Sequence, residues 1–364
     1  MTKQLLIIAE AGVNHNGSLQ RALEMVDVAV LAGADVIKFQ TFSADKLARR
    51  DAQLAEYQRT SETDSRGQWE LLKGLELSND EFATIREHCR AQGIEFLSTG
   101  FGIDELEFLI DTLSIPMVKI ASGDLTYAPM LFRAGLSGLP TILSTGMTDL
   151  AEIGRALRFI AAGYAVGLGL LPPETKPTAA VLEQVWSDPN IRAVLTDRVT
   201  ILHCTTEYPA PLNILNLRAM QTIADEFGLA IGYSDHSLGA LASTLAVGMG
   251  ATVIEKHFTL DKTLDGPDHA ASLDASELVE FVAQLRAVEI ALGSSVKECQ
   301  PEELSNRAAV RRSLVVTRDV RAGETLTESD LDAQRPAKGR TSFDFWEVVG
   351  TPAAKDYAAG DYLE

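Results

Sequence analysis

The sequence predicts an α/β fold, a (β/α)8 TIM barrel followed by a small second domain. Eight short apolar runs are typical of parallel strands that are buried on both faces. Amphipathic helical patterns separate these runs, and several end at a glycine, as at Gly33 and Gly93. Eight βα units within about 260 residues fit a TIM barrel. A doubly wound open sheet is the alternative, but the sequence contains neither a GxGxxG nor a Walker motif.

The predicted barrel occupies residues 1–295, and its strands can be assigned in order. The candidate strands are Leu5–Glu10, Asp35–Thr41, Glu95–Thr99, Met117–Ser122, Thr141–Thr145, Val199–Thr205, Ala230–His236 and Val253–Thr259. The connection between the fifth and sixth strands is unusually long, and we interpret residues 161–198 as an inserted helical segment. This insertion is either a surface elaboration or a lid or subunit contact.

The pattern changes after the barrel. Residues 296–312 are polar and are interpreted as a linker. Ser313–Thr317 is a strand-like run, Asp319–Gly323 has the composition of a turn, and Thr327–Leu331 resembles a helix start. We therefore predict a compact second domain at residues 313–364.

The composition is that of an ordinary globular protein with an acidic balance. Of the 364 residues, 46% are hydrophobic, and the net charge is −19 at pH 7. This charge argues against binding to nucleic acid or anionic lipid, so an anionic substrate would need locally placed cations. No apolar run approaches the roughly 20 residues of a membrane span, and no signal peptide is expected. The three cysteines fit neither a disulfide framework nor a zinc site, so we expect a cytoplasmic protein.

Polar side chains close most of the predicted strands. In TIM barrels the active site lies at the C-terminal ends of the strands. Because side chains alternate across a strand, Lys38 and Gln40 share one face, opposite the apolar residues beside them. The same alternation predicts that Lys119, Glu255 and His257 point into the barrel mouth. The other polar residues at strand ends are Glu10, Thr99, Ser122, Ser144, His203, Thr205, Ser234 and His236.

Two lysines that point inward need an explanation, because lysine is almost never fully buried unless it is paired. Lys38 and Lys119 either form structural ion pairs with Glu10 or Glu255, or they cradle the carboxylate and phosphate of a substrate. In the second interpretation, hydroxyl groups at the ends of other strands add hydrogen-bond donors. These hydroxyl groups belong to Thr99, Ser122 and Ser144.

Five of the six histidines lie at or just beyond strand ends. A single histidine in such a place is more often a hydrogen-bonded core residue than a ligand. His236 and His257, however, close adjacent strands on the inward face, so their imidazoles are able to share one divalent ion. A site with few protein ligands and oxygen-rich surroundings suits Mn²⁺ or Mg²⁺ better than it suits a structural zinc ion. Such an ion would act as a Lewis acid on a substrate carbonyl.

The motifs at these positions resemble the sialic acid synthase family, which covers N-acetylneuraminate synthase and N,N'-diacetyllegionaminate synthase. The resemblance runs nearly end to end, and the tail, with RPAKG (335–339), is similar to the family's antifreeze-like SAF domain, a β-clip fold. The motifs of the barrel are IAEAGVNHNG (8–17), VIKFQT (36–41), KIASG (119–123), LSTGM (143–147), LHCTTEYP (202–209), GYSDH (232–236), EKHFT (255–259) and GPDH (266–269).

The resemblance implies a role for each matching residue. His236 and His257 would bind the metal, usually Mn²⁺, with Mg²⁺ or Co²⁺ as alternatives, and Glu10 would contact the amino sugar or water on the metal. Our own hypothesis is that Glu10 handles the proton of water or of the alkoxide. Arg335 would reach the N-acyl group of the sugar from the partner subunit, which implies a domain-swapped homodimer. The residues implied to hold phosphoenolpyruvate are Lys38, Thr99, Lys119, Ser122, Ser144 and Ser234. Those implied to contact the amino sugar are Gln40, Asp124, Tyr208, Asp268 and Arg335.

Three positions depart from the family pattern. Asp124 stands where many members have glutamate, and its shorter side chain puts its sugar contact in doubt. Gly100 replaces the usual proline between Thr99 and Phe101, but the threonine is kept. Thr206 stands where some sialic acid synthases have asparagine. The TTEY form of this chain (205–208) also occurs among legionaminate synthases.

The activity implied by the resemblance is condensation of phosphoenolpyruvate with an N-acetylated amino sugar, giving a nine-carbon 2-keto sugar acid and phosphate. We predict N-acetylneuraminate synthase, which acts on N-acetylmannosamine. The alternative is N,N'-diacetyllegionaminate synthase, which acts on 2,4-diacetamido-2,4,6-trideoxymannose. The loop around Glu56–Gln58 is expected to contribute to the choice between these sugars.

Three other interpretations are kept. A phosphoenolpyruvate-dependent synthase of seven- or eight-carbon ketoacids would need a second phosphate site, for which the sequence shows no extra basic cluster. A Schiff-base aldolase would form a borohydride-trappable adduct through a lysine. A non-catalytic carbohydrate-binding or scaffold protein would use the same pocket without turnover.

Overall fold

A computed structural model describes residues 4–53 and 67–364, and it confirms the predicted fold class. Eight parallel strands form a closed barrel in chain order, in which the first strand pairs with both the second and the eighth. The observed strands follow the predicted ones closely, although the fourth is shorter, because the chain turns into a 3-10 helix at Ser122–Asp124. The strands are β1 (Leu6–Gly12), β2 (Val36–Thr41), β3 (Glu95–Gly100), β4 (Val118–Ile120), β5 (Thr141–Ser144), β6 (Val199–Cys204), β7 (Ala230–Asp235) and β8 (Val253–His257).

Helices connect the strands and cover the outside of the barrel. Their ends follow the local sequence: the Ser78 side chain accepts a hydrogen bond from Glu81 N at the start of one helix, and Gly93 ends that helix with φ +77°. The long connection between β5 and β6 contains three helices, α7 to α9. The helices of the barrel are α1 (Leu19–Ala32), α2 (Ala44–Leu47), α3 (Gln68–Leu75), α4 (Asn79–Gln92), α5 (Ile103–Glu107), α6 (Ala128–Leu136), α7 (Leu150–Gly167), α8 (Ala179–Ser187), α9 (Pro189–Arg198), α10 (Ala219–Phe227), α11 (Leu241–Gly248) and α12 (Ala275–Leu292).

The barrel has an apolar layer on each side of its strands. Outward-facing residues such as Ile37 and Phe39 are buried against the helices. The lower part of the barrel interior is closed by inward-facing aliphatic side chains. This interior layer consists of Ile8, Val36, Leu97, Ile142, Leu202 and Val253. The polar inward-facing residues therefore lie above this apolar layer, at the carboxyl ends of the strands.

The chain divides into two compact units, Met1–Gly293 and Ser294–Glu364. The second unit contains α13 (Leu304–Val310), a two-stranded antiparallel sheet of β9 (Ser313–Val316) and β10 (Leu331–Gln334), and α14 (Phe345–Val348). Its own small core includes Leu314, Val320, Leu326 and Tyr357. Among the residues that the structure describes, no helix is both long and apolar enough to cross a membrane.

Candidate active site

A cavity of about 410 Å³ opens at the carboxyl ends of the barrel strands. Every predicted site residue of the barrel lines this cavity, whereas Arg335 lies just after β10 on the second unit and is exposed. The predicted loop at Glu56–Gln58 lies outside the described residues. The predicted site residues around the cavity are Glu10, Lys38, Gln40, Thr99, Lys119, Ser122, Asp124, Ser144, Tyr208, Ser234, His236, His257 and Asp268.

Two lysines and two glutamates form a buried charge cluster on the cavity floor. Lys38 Nζ lies 2.6 Å from Glu10 Oε2 and 3.6 Å from Glu255 Oε2, and Lys119 Nζ lies 3.3 Å from Glu255 Oε1. All four side chains are at most 6% exposed. Both lysines are therefore ion-paired, which agrees with one of the two interpretations of the sequence. Because their ammonium groups also line the cavity, the second interpretation, a cradle for an anionic substrate, remains compatible with this geometry.

The two glutamates differ in their electrostatics. Burial raises the pKa of Glu10 to about 7, because desolvation outweighs the attraction of Lys38. Burial acts in the same direction on Glu255, but Lys119 and Lys38 together overcome it and lower the pKa of Glu255 to about 2. Burial lowers the pKa of Lys119. The cluster therefore pairs a permanently charged carboxylate with one that can exchange a proton near neutral pH.

Hydroxyl groups from several strands surround this cluster. Lys38 Nζ donates to Thr99 Oγ1 at 3.2 Å, and Ser234 Oγ donates to Glu255 Oε1 at 2.9 Å. Ser122 Oγ accepts a hydrogen bond from Gly146 N at 2.9 Å. Ser144 Oγ is buried and has no hydrogen-bond partner within the described part of the chain. Since buried polar groups are normally satisfied, its position on the cavity wall suits a contact to a ligand.

The two predicted metal ligands are neighbours, with ring centroids 5.7 Å apart. His236 Nδ1 lies 2.7 Å from the carbonyl oxygen of Thr205, so Nδ1 donates and Nε2 keeps its lone pair. His257 Nδ1 is buried, has no hydrogen-bond partner among the described residues, and lies 3.8 Å from Asp268 Oδ2. Burial lowers the pKa of both histidines, which favours the neutral form that binds metals.

Among the described residues, these two histidines have no third protein ligand beside them that would complete a metal site. Within residues 4–53 and 67–364, no group of three or more His, Cys, Asp or Glu side chains is arranged to hold a metal ion. Two neutral imidazoles with unused nitrogen atoms beside a polar cavity fit an open divalent site better than a closed structural one.

The polar residues predicted to contact the sugar line the same cavity as the histidines. Gln40 Nε2 donates to Glu10 Oε1 at 3.4 Å, and the ring of Tyr208 lies 4.1 Å from that of His236. Burial raises the pKa of Asp124 to about 6 and that of Asp268 to about 6. A carboxyl group with such a pKa is able both to donate and to accept a hydrogen bond near neutral pH.

Two glycines allow the chain to pass close to the site. Gly12 has φ +55° next to a bulge in β1, and a Cβ there would lie 3.3 Å from His257 Cε1. A Cβ on Gly146 would lie 2.3 Å from Thr206 Oγ1, which is too close for any side chain. Both positions therefore require glycine for the cavity walls to keep their observed spacing.

An apolar wall of the cavity was not predicted from the sequence. Leu71, Leu72 and Leu75 of α3 line the cavity together with Leu47 and Phe42. The helical spacing of the leucines predicts a buried face, but only the fold shows that part of this face meets the cavity. Glu255 was recognised as an inward-facing residue, but its place between the two lysines also depended on barrel closure.

Three histidines at strand ends have structural surroundings instead. His203 Nε2 lies 2.7 Å from the carbonyl oxygen of Leu215, and His269 bonds Thr259 and Asn16 at 2.7 Å and 3.0 Å. His15 Nδ1 accepts a hydrogen bond from Gly17 N at 3.1 Å. None of these three histidines lines the cavity that holds the predicted site residues.

Two family models and several known proteins match the chain. The model of the NeuB family matches residues 25–297, and that of the SAF domain matches residues 311–364. The chain is 43% identical over 98% of its length to the N,N'-diacetyllegionaminic acid synthase of Legionella pneumophila, of which the match covers 92%. It is 38% identical over 99% of its length to the synthase of the same name from Campylobacter jejuni, of which 99% is covered.

A solved structure shows the same likeness. The N-acetylneuraminic acid synthetase of Leptospira borgpetersenii has a TM-score of 0.65 and 31% identity to this chain, and the match covers 83% of this chain and 90% of the other. The regions that the two family models match include parts of both units of the chain and all the strands from β2 onward. The chain belongs to the NeuB family of sialic-acid-type sugar acid synthases and carries a SAF domain.

Proposed function

We propose that this protein is an N,N'-diacetyllegionaminate synthase, which condenses phosphoenolpyruvate with 2,4-diacetamido-2,4,6-trideoxymannose and releases phosphate. The observation that carries the proposal is the buried Lys38 and Lys119 pair beside His236 and His257 in one cavity. Relatives named for legionaminic acid, at 43% and 38% identity, support this sugar over N-acetylmannosamine, which the sequence analysis put first.

The lysines and hydroxyl groups would hold phosphoenolpyruvate. Lys38 and Lys119 come from strands on either side of β3, and their ammonium groups are held in place by Glu10 and Glu255. An anion that enters the cavity meets charges that are already desolvated and oriented, so little reorganisation is needed. Ser144 Oγ, which lacks a protein partner within the described residues, adds a donor on the same wall.

His236 and His257 would hold a divalent cation, for which Mn²⁺ is the first choice and Mg²⁺ or Co²⁺ are alternatives. When bound, such an ion supplies Lewis-acid polarisation of the sugar aldehyde. The fit rests on the lone pair left on His236 Nε2 and on the buried His257 Nδ1, which no described residue hydrogen-bonds.

The rest of the reaction falls to orientation and proton transfer by the chain. C3 of phosphoenolpyruvate forms a bond to the aldehyde carbon, water adds to C2, and the C2–O bond to phosphate breaks. The lysine cradle fixes the carboxylate and phosphate so that C3 faces the aldehyde. Glu10, with a pKa of about 7, would hold the proton exchanged with the attacking water or the new hydroxyl group.

The apolar wall supports the deoxygenated sugar. Leu72 is half-buried and Leu47 is 37% exposed, and both line the cavity. The proposed sugar ends in a methyl group at C6, whereas N-acetylmannosamine ends in a hydroxyl group there. Burying a hydroxyl group against leucine without a hydrogen bond costs free energy, while a methyl group gains by the same contact.

Other predicted contacts remain part of the proposal. Gln40, Asp124, Tyr208 and Asp268 would bind hydroxyl and amide groups of the sugar. Asp124 lines the cavity despite being shorter than the glutamate of the family pattern, and its Oδ2 is buried without a hydrogen-bond partner among the described residues. The homodimer in which Arg335 reaches the sugar of the partner subunit stays a prediction.

The test is phosphate release from phosphoenolpyruvate with Mn²⁺, with the two sugars offered in parallel. Release that is at least tenfold faster with 2,4-diacetamido-2,4,6-trideoxymannose is expected, and His236→Ala should abolish it while the protein stays folded. Preference for N-acetylmannosamine would make the protein an N-acetylneuraminate synthase. Release with neither sugar would refute both assignments, and a borohydride-trapped lysine adduct would indicate an aldolase.

A further inference from the structure

A buried ion pair lies directly behind the two histidines, on the faces of β7 and β8 that point away from the cavity. Asp235 and Lys256 are opposite each other in the parallel register of the strands. Lys256 Nζ lies 3.0 Å from Asp235 Oδ2, and the two side chains are 2% and 0% exposed. Asp235 precedes His236, and Lys256 precedes His257, so each charge is one residue away from a proposed metal ligand.

Both charged groups are fully engaged by their surroundings. Asp235 Oδ1 accepts hydrogen bonds from Ser237 N at 2.8 Å and Ser237 Oγ at 2.6 Å. Asp235 Oδ2 also accepts from Ser243 Oγ of α11 at 2.6 Å. Lys256 Nζ donates to the carbonyl oxygen of Ser237. The backbone on both sides of His236 is therefore tied to β8 and to α11 through this one pair.

Stability alone is a weak reason for such a pair. Removing two charges from water is costly, and apolar replacements of buried ion pairs are often neutral or stabilising. The pair does, however, fix which residue of β7 lies beside which residue of β8. Groups outside the ligand shell that orient metal ligands commonly change metal affinity when they are removed.

We propose that Asp235 and Lys256 are positioning residues, which hold the ends of β7 and β8 in the register that lets His236 and His257 share one divalent cation. The inference rests on the metal site of the proposed function. The pair acts through the backbone of the two histidines, because its side chains point away from the cavity and do not line it.

The test is the affinity of the full-length, metal-free Lys256→Met protein for Mn²⁺, measured from the electron paramagnetic resonance signal of free Mn²⁺. We expect binding to weaken about 10-fold relative to the wild type, the lower end of the loss that follows removal of a group bonded to a metal ligand, because this pair acts through the backbone instead. Saturating Mn²⁺ should restore most of the phosphate release, since the cradle for phosphoenolpyruvate is unchanged.

A matched control separates positioning from general stability. Arg286 Nη2 lies 2.6 Å from Asp35, and Arg286 Nη1 donates to the carbonyl oxygen of Leu5, at the amino ends of the strands. Arg286→Met should lower the midpoint of thermal unfolding but leave the Mn²⁺ dissociation constant within twofold of the wild type. An equal loss of Mn²⁺ affinity in Arg286→Met would overturn the inference.

A second variant covers the case in which Lys256→Met does not fold. The double variant Asp235→Asn/Lys256→Met removes both charges and keeps an acceptor for Ser237 N, so it should fold and still bind Mn²⁺ weakly. If either folded variant bound Mn²⁺ with wild-type affinity, the inference would be overturned but the proposed metal site would not. A wild-type protein that binds no Mn²⁺, or a His236→Ala protein with unchanged affinity, would overturn the proposed metal site and the inference with it.

Discussion

Replacing Lys119 by methionine tests the proposed phosphoenolpyruvate cradle most directly. Lys119 is 3% exposed, lines the cavity, and lies 3.3 Å from Glu255. Methionine has a similar length but no charge, so the substitution removes an ammonium group without opening a large space. The four-residue cluster would then carry two carboxylates against Lys38 alone, before any anionic substrate enters.

The expected size of the effect follows from this geometry. A hydrogen bond to a charged group contributes about 1.5–3 kcal/mol. Its loss corresponds to a change of about 10- to 150-fold in an equilibrium or rate constant. The fully buried site places the effect in the upper part of this range, because solvent does not screen the missing charge.

The assay is phosphate release at varied phosphoenolpyruvate and at varied sugar. We expect kcat/KM for phosphoenolpyruvate to fall by the stated factor, while KM for the sugar changes by less than about threefold. Lys46→Met is the control, because Lys46 is 56% exposed and its partners among the described residues, Asp104 and Glu105, do not line the cavity. An unchanged kcat/KM for phosphoenolpyruvate in a folded Lys119→Met protein would refute the cradle.

Three further changes have defined outcomes. Leu72→Gln should reduce the preference for the 6-deoxy sugar over N-acetylmannosamine by about tenfold, since an amide then faces the methyl group. Leu31→Gln, at a position 78% exposed on α1, should leave this preference unchanged. An equal reduction in both variants would show that the apolar wall does not select the sugar. If Glu10 acts as a base, wild-type kcat/KM rises with pH through about 7. Glu10→Gln should lose this rise in kcat/KM and should lower the rate at least about 100-fold. Near-normal turnover of the variant would rule out this role. Hydrogen bonds from Thr327 and from Arg318 lower the pKa of Asp330 to about 2, below its ordinary 3.8, so its stabilisation is complete above about pH 4 and is lost as the pH falls toward 2. The thermal midpoint of Asp330→Asn should therefore depend less on pH in this window, and an unchanged dependence would contradict the reasoning.

Much of the barrel was predictable from local sequence. The alternation in β2 places Lys38 and Gln40 opposite Ile37 and Phe39, and the structure has the latter two packed against the helices. This succeeds because the side-chain period of a strand depends only on the strand itself. Helix ends at Ser78 and Gly93 follow from capping chemistry in the same way.

The charge cluster was predictable only as a set of candidates. Glu10 and Glu255 are far apart in the chain, and they come near Lys38 because β1 pairs with both β2 and β8 when the barrel closes. Their opposite pKa shifts depend on which carboxylate lies between two ammonium groups. No periodicity in the sequence contains that information, because desolvation and charge separation are properties of the folded cavity.

Local sequence was enough to predict the strands, their inward-facing polar residues and the likeness of the motifs to a family of sugar acid synthases. Two features could be seen only in the folded barrel: the leucines of α3 form a wall of the cavity, and Asp235 pairs with Lys256 on the faces of β7 and β8 that point away from it. Local rules specify which face of an element is apolar or polar, since they depend on near neighbours along the chain. What that face meets depends on contacts between residues that are remote in sequence, and these exist only once the barrel has closed.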